Sequence, residues 1–340
     1  MSPDQLSTLA WRSAPGPAAR AVLSVLAGQP LDTVAREAGM EPIALADAVE
    51  VYQHAGNEAL ACHELSTAWR QVYLQFPDWR CAEQTVAAHL APVLHHLARH
   101  EESISQWWYI RKHPCWRLRL LGHPESQAHA ELGSRLDDLA ATGHLSRWWP
   151  GIYEPETAAF GGTVGMLSAH TLFSADSHHI LALPGRTDMP VGRREISALL
   201  CTVMMRAAGL ECQEQGDVWD RVITEEHRSA TQNIPHKRLT ELTRQIRQIL
   251  SSDTSSQGPV FGEEGVLHAI FDWAEAFRRA GNALREANIS GSLHRGIRRI
   301  LAYHIIFHWN RLGLSIEAQS ALALAARTAI LEPPEPDDTT

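Results

Sequence analysis

Two arginines one residue apart raise the first question of chemistry. In "CWRLRLL" (115–121), Arg117 and Arg119 alternate with Trp116, Leu118 and Leu120. Side chains alternate across a strand, so this spacing sends Trp116, Leu118 and Leu120 to the core. It sets both guanidiniums on the other face, roughly 6.5–7 Å apart. Like charges at that separation repel unless an anion or a carboxylate lies between them. The pair therefore either meets Asp or Glu of a neighbouring helix or holds an anion. Just upstream, "QWWYIRKHP" (106–114) adds Trp108, Arg111 and Lys112. Such aromatic–basic interleaving serves a nucleic-acid strip, a core strand with a solvated edge, or an anion pocket.

Two further stretches carry reactive side chains. "YEPETAAFGG" (153–162) offers Tyr153, Glu154 and Glu156, then a Gly161–Gly162 turn that can open a helix whose first N–H groups favour an anion. "HIIFHWNR" (304–311) places His304, His308 and Arg311 at i, i+4 and i+7, one stripe of a helix, with Asn310 beside it. A His next to an Arg on one face suits proton transfer beside an anion clamp, and the same stripe also suits a helix-packing seam. The spacing His304-x3-His308 lacks the Glu of a zinc-binding H-E-x-x-H and has no evident third ligand, so no metal is expected.

These residues need elements to position them. "AWRQVYLQF" (68–76), 104–112, 115–121 and 145–155 read as strands, and 83–100 and 124–143 as helices. The order β-α-β-β-α-β predicts an α+β fold built on a split βαβ, ferredoxin-like antiparallel sheet. A helical half comes next, with helices at 164–175, 190–213, 233–251, 262–286, 290–312 and 315–331. Ahead of the sheet, "PAARAVLSVLAG" and "LDTVAREAGMEPIALADAVEVYQHAG" form an N-terminal helical hairpin spaced like a helix-turn-helix, with Asp32 as N-cap, Gly39 as stop and a second helix from Pro42 to His54. The domains are then 1–62, 63–332, and an acidic, Pro-rich tail at 333–340 expected to be disordered.

Composition removes several function classes. The second hairpin helix carries Asp47 and Glu50 and no Lys or Arg, and the chain's net charge is −9, so DNA binding is not expected. The five cysteines form no CxxC pair, the N-terminus lacks the order of a signal peptide, and no apolar run reaches the roughly 18 residues of a membrane helix. These features fit a cytoplasmic protein with no membrane insertion.

The strand with "RLRL", then "YEPE…GG…LF.ADS", then a late helix with "NRLG", taken in this order over about 66–330, resembles the C-terminal elimination domain of class I lantibiotic dehydratases. That family is also met as the stand-alone thiopeptide-type bacteriocin biosynthesis protein. The resemblance implies a role in ribosomal peptide biosynthesis. A separate glutamylation module esterifies Ser or Thr of a leader-bearing precursor peptide using glutamyl-tRNA, and this domain eliminates glutamate to leave a dehydroamino acid. It implies no cofactor. Arg117 and Arg119 match the family's "RLR", Tyr153, Glu154 and Glu156 its "YEPE", and Asn310 and Arg311 its "NR". The sequence departs from the family at two positions. Ala159 stands where an Arg precedes the aromatic-Gly-Gly, and Ile306 stands where a His precedes Asn-Arg by four. His304 and His308 are the histidines nearest position 306, and a two-residue step turns a helix by about 200°. These departures leave two alternatives: a [4+2] pyridine-forming cyclase of thiopeptide biosynthesis, which has the same fold, or a non-catalytic subunit that binds the leader peptide.

Overall fold

A computed structural model of the chain describes residues 16–99, 104–122, 127–185, 189–225 and 235–332. The expectation of a disordered tail at 333–340 lies outside these. The chain divides into two compact units between Glu64 and Leu65.

In the first unit, α1 (Pro17–Leu26) and α2 (Leu31–Ala38) precede α3 (Pro42–Ala68). Ala21, Val22, Val34, Ala35 and Leu45 make a small core of their own. Gly39 ends α2 in the left-handed conformation, as its position predicts. The expected cap differs: Pro30 is the N-cap, and Asp32 lies inside the first turn, where its charge complements the helix dipole without making a capping bond. The third helix also outruns the expected end at His54, because the following "AGNEALACHELSTA" is rich in strong helix formers.

The second unit opens on the expected sheet. Strands β1 (Trp69–Gln75), β2 (Ile104–Lys112), β3 (Cys115–Gly122) and β4 (Arg147–Gly151) lie in the order β2-β3-β1-β4. Every pairing is antiparallel, which is the split-βαβ topology. Between β1 and β2 the chain runs through α4 (Ala82–Thr85), a π-helical turn at Val86–Leu90 and α5 (Ala91–Ala98); α6 (Gln127–Ala141) links β3 to β4. These helices cover the face that carries Leu118 and Leu120. Trp107, whose cross-strand partner is Leu120, meets His95 of α5, and Trp148 Nε1 donates to Asp137 of α6 at 2.9 Å.

The helical half consists of α7 (Thr163–Ala182), α8 (Arg193–Ala207), α9 (Cys212–Thr224), α10 (His236–Ser251), α11 (Phe271–Ile289), α12 (Ile297–Leu312) and α13 (Ile316–Leu331). Three expectations need correction. The helix predicted over 190–213 ends at Ala207, because Gly209 turns with φ +82°, and a separate helix begins at Cys212 with a Glu211–Glu214 capping box. The strand predicted over 145–155 stops at Gly151, so Glu154 and Glu156 share no strand face. Finally, the helix predicted over 164–175 runs on to Ala182 as α7, and so takes in Asp176 and Ser177.

Entry into α7 requires two glycines. Gly161 and Gly162 turn into the helix with φ of +82° and +99°, and a Cβ on Gly161 would run into the Ile300 side chain of α12. The helix then runs along the edge of the sheet at β2, where the Tyr109 N–H donates to Ser177 Oγ at 3.2 Å. A side chain thereby satisfies a backbone donor that an edge strand would otherwise leave open.

Candidate functional site

The face of the sheet opposite Leu118 is not a solvated one. Cross-strand pairing puts Gln71, Arg119 and Trp108 in one row. All three are buried, with Arg119 only 2% exposed: Phe173 of α7 packs on Trp108, and Tyr153 and Ile152, just after β4, meet Arg119 and Gln71. Its guanidinium lies 4.1 Å from the Trp108 ring centroid and 4.6 Å from that of Tyr153, and its Nε donates to Gln71 Oε1 at 3.0 Å. Burial pulls its pKa down to about 10. Arg117 does share this face but is half-buried over the Tyr73 ring, so the expected paired cationic surface is corrected to one buried and one partly covered guanidinium. Alternation fixes parity along a strand; it does not say whether a second layer covers the other face.

Around Arg119 the aromatic side chains close in. Trp69, Trp108, Tyr153, His170 and Phe173 pack against one another, with Trp69 and His170 ring centroids 4.6 Å apart. Tyr153 Oη lies 2.8 Å from His170 Nε2. Burial and the Arg119 charge push the His170 pKa down to about 3, and burial pushes the Tyr153 hydroxyl well above its ordinary value. Both are therefore neutral near neutral pH. Five polar atoms in this neighbourhood are buried with no hydrogen-bond partner: Trp69 Nε1, Trp108 Nε1, Arg119 Nη1, His170 Nδ1 and Glu156 Oε2.

His170 also lines a cleft of about 480 Å³ between Trp69, Gln106 and Leu121 of the sheet, Val164, Leu167 and Thr171 of α7, and Ala276, Arg279 and Ala280 of α11. No Asp or Glu lines it, and among the lining residues Arg279 carries the one full charge. In a chain of net charge −9 this cleft favours a ligand with an anionic group near Arg279 and an apolar part against the remaining lining.

The stripe His304, His308, Arg311 lies on the far side of Phe173, wholly inside the core. Asp176 of α7 accepts from Trp273 Nε1 at 2.9 Å, His308 Nδ1 at 2.9 Å and Arg311 Nε at 2.7 Å. Burial alone would raise the Asp176 pKa; His308 and Arg311 instead hold it below the usual carboxylate value. On its other side, His308 Nε2 meets Ser197 Oγ at 3.0 Å, and Ser197 also accepts from Trp309 Nε1. Ser197, His308 and Asp176 repeat the order of a nucleophilic triad, but all three are fully buried, so this group ties α7, α8, α11 and α12 together. His304 is 1% exposed beside Phe160, with neither ring nitrogen hydrogen-bonded, and burial lowers its pKa to about 3.

The remaining sequence candidates scatter. Arg111 stacks on Trp116 and pairs with Glu83 of α4 at 2.5 Å, while Lys112 is exposed at the end of β2. Asn310 accepts from Gln319 of α13 at 3.1 Å and so joins two helices. Glu154 is exposed and Glu156 half-buried. The structure thus brings together Trp108, Arg119, Tyr153 and Glu156; the Phe173 ring stands between them and the α12 stripe, packed on Trp108 and also against Arg311 and His304. It adds Gln71, His170 and Arg279, which the sequence alone does not single out. Gln71 is legible in retrospect as the β1 residue facing Arg119. His170 shares the buried α7 stripe with Phe173 and Ser177, a phase only readable once the helix is known to run to Ala182. Among the described residues no group of three His, Cys, Asp or Glu is placed to hold a metal ion, and no helix is long and apolar enough to cross a membrane.

A ferredoxin-like sheet closed by a helical layer, with a cleft between them, defines the class of protein. The family model for the lantibiotic biosynthesis dehydratase C-terminal region matches residues 69–330, and the chain belongs to that family. Its fold is similar to that of the tRNA-dependent lantibiotic dehydratase MibB from Microbispora sp. 107891, at 23% identity and TM-score 0.55; the match covers 78% of this chain and 28% of that one. It is similar to TsrL, at 16% identity and TM-score 0.55 over 78% and 94% of the two chains. It is also similar to TbtD, a pyridine synthase from thiomuracin biosynthesis, at 14% identity and TM-score 0.52 over 78% and 98%. No curated protein matches the chain.

Proposed function

We propose that this protein eliminates glutamate from glutamylated Ser or Thr of a ribosomal precursor peptide, leaving dehydroalanine or dehydrobutyrine. The observation that carries this reading is the charge of the cleft: Arg279 is the one charged side chain lining it, no carboxylate lines it, and the buried Arg119 packs on Trp108, which meets the lining His170. Elimination removes the α-proton and expels a carboxylate, so a positive, largely apolar cavity favours the departing group over the neutral peptide. A separate glutamylation subunit using glutamyl-tRNA would supply the ester. The chain spans 28% of the length of MibB, a tRNA-dependent dehydratase, and that partner is part of the proposal.

A second reading, [4+2] pyridine formation, is favoured by one observation. Ala159 and the fully buried Ile306 bring no charge to the positions where the family's elimination groups are expected. One experiment separates the two. Incubation with a precursor peptide bearing a synthetic glutamyl-serine ester, followed by mass spectrometry, is expected to show loss of the glutamate as free acid. Persistence of the ester together with ring formation on a peptide carrying two dehydroalanines would favour the cyclase. Binding of both peptides without change would leave a leader-binding subunit.

A further inference from the structure

Beyond the buried row of Gln71, Arg119 and Trp108, the cover over this face of the sheet thins out. Two residues further along the strands, Trp149 of β4, Tyr73 of β1 and Arg117 of β3 are cross-strand neighbours. In the row after that, Arg147 lies opposite Gln75 and Lys112 opposite Cys115, and alternation keeps both cations on the same face. Tyr73, Trp149 and Arg117 are half-buried, whereas Arg147 and Lys112 are exposed. The Tyr73 and Trp149 rings stack at 5.2 Å and 13°. The Arg117 guanidinium stands 5.6 Å from the Tyr73 ring centroid, and that of Arg147 stands 4.7 Å from the Trp149 centroid. Arg147 is anchored further by its Nε, which donates to Gln75 Oε1 at 2.7 Å and leaves both Nη groups for a ligand. Both guanidiniums bear on the Cys115 thiol and oppose the upward push that burial gives its pKa, so they converge on one region of the sheet. Among the described residues Lys112, Arg117 and Arg147 have no ion-pair partner.

A cationic stripe without carboxylates, in a chain of net charge −9, calls for an anionic ligand. The rings narrow the kind. Tyr73 is flanked by Trp149 from one neighbouring strand and by Arg117 from the other, and Trp149 packs against Tyr73 and Arg147. With the rings engaged in this way, the stripe offers guanidinium N–H groups and an ammonium, and no platform on which bases would stack. We propose that this stripe docks an acidic peptide segment in extended form, with its carboxylates on Arg147, Arg117 and Lys112. On the proposed function that segment is a part of the precursor peptide away from the residue being modified; the identity of the peptide rests on that reading, and its acidic character rests on the stripe. The dimensions agree. The strand order β2-β3-β1-β4 sets Lys112 and Arg147 three strand intervals apart, about 14 Å at about 4.8 Å each. Alternate side chains of an extended peptide project to one side about 7 Å apart, so three carboxylates on alternate residues also span about 14 Å.

Fluorescence anisotropy of the full-length protein with a fluorescein-labelled peptide of alternating Glu and Ser tests the stripe without turnover. We expect saturable binding, and none with the peptide of alternating Gln and Ser. Arg117→Gln and Arg147→Gln are each expected to weaken the Kd about tenfold, as the loss of a charge-assisted contact would. Arg194→Gln and Arg238→Gln remove exposed arginines of α8 and α10 and are expected to bind within about twofold of the parent. Equal weakening by all four variants would mean diffuse attraction and overturns the proposal, as does equal binding of the Gln peptide or tighter binding of a single-stranded oligonucleotide. Far-UV circular dichroism checks that each variant is folded; the exposed Arg147 decides the matter should Arg117→Gln not fold. If the parent protein leaves the glutamyl ester intact, the elimination reading fails, whereas the stripe is still decided by the anisotropy.

Discussion

Asp176 ties together much of the helical half, taking hydrogen bonds from Trp273, His308 and Arg311 while fully buried. Removing its charge strands the Arg311 guanidinium, whose Nη atoms already lack partners. We expect Asp176→Asn to lose about 3–5 kcal/mol of stability, measured by urea unfolding, because breaking a buried pair leaves an uncompensated charge. Retained stability would mean that Arg311 finds another partner. His304 gives a test of opposite sign. Its folded pKa of about 3 lies below the ordinary 6.5, so between those values the unfolded chain binds the extra proton and stability falls as pH falls. The slope is about 1.4 kcal/mol per pH unit in that window. His304→Leu, which also removes two unbonded buried nitrogens, is expected to raise stability by about 1 kcal/mol and to flatten the decline between pH 7 and 5. Urea midpoints at the two pH values read both effects, and an unchanged slope would show that the ring is not buried neutral. At this scale the sequence shows which types recur and on which parity; Arg119, His304, His308 and Arg311 were legible as one-face groups. Their burial was not, since it depends on helices that arrive from distant segments.

Among elements, a single carboxylate couples the sheet half to the helical half. Glu83 of α4 accepts from Arg111 of β2 and from both Nη atoms of Arg193 at the start of α8, and these arginines hold its pKa down against the upward push of burial. We expect Glu83→Gln to cost about 1–3 kcal/mol. Hydrogen exchange is expected to quicken first in the opening turn of α8, and uniform quickening across the unit would mean that the clamp acts globally. The elements themselves were largely legible. Strands β2 and β3 begin where alternation places them, because aromatic and β-branched residues with period two fit a pleated, half-buried surface. The merged helix at 190–213 shows where the signal fails. Apolar periodicity continues through Gly209 and Leu210, and the left-handed turn at that glycine, not any loss of hydrophobicity, ends α8.

For the molecule as a whole, the two units differ sharply in how much apolar surface they can bury. Among the described residues, the first unit is organised around five buried side chains, whereas the second encloses one continuous core from Trp69 to Ala329. A helical unit of that size is marginal by itself, because the fraction of surface buried on folding falls as the chain shortens. Ten of the eleven tryptophans, all except Trp11, lie in the larger unit, so fluorescence reports it while far-UV ellipticity also reports α1 to α3. On adding urea we expect part of the ellipticity to disappear at a lower concentration than the fluorescence change, with the early loss absent in a chain that starts at Leu65. Coincident transitions by both probes would instead show that the two units unfold together, and the N-terminal helices would then have to be counted as part of the scaffold that holds the cleft.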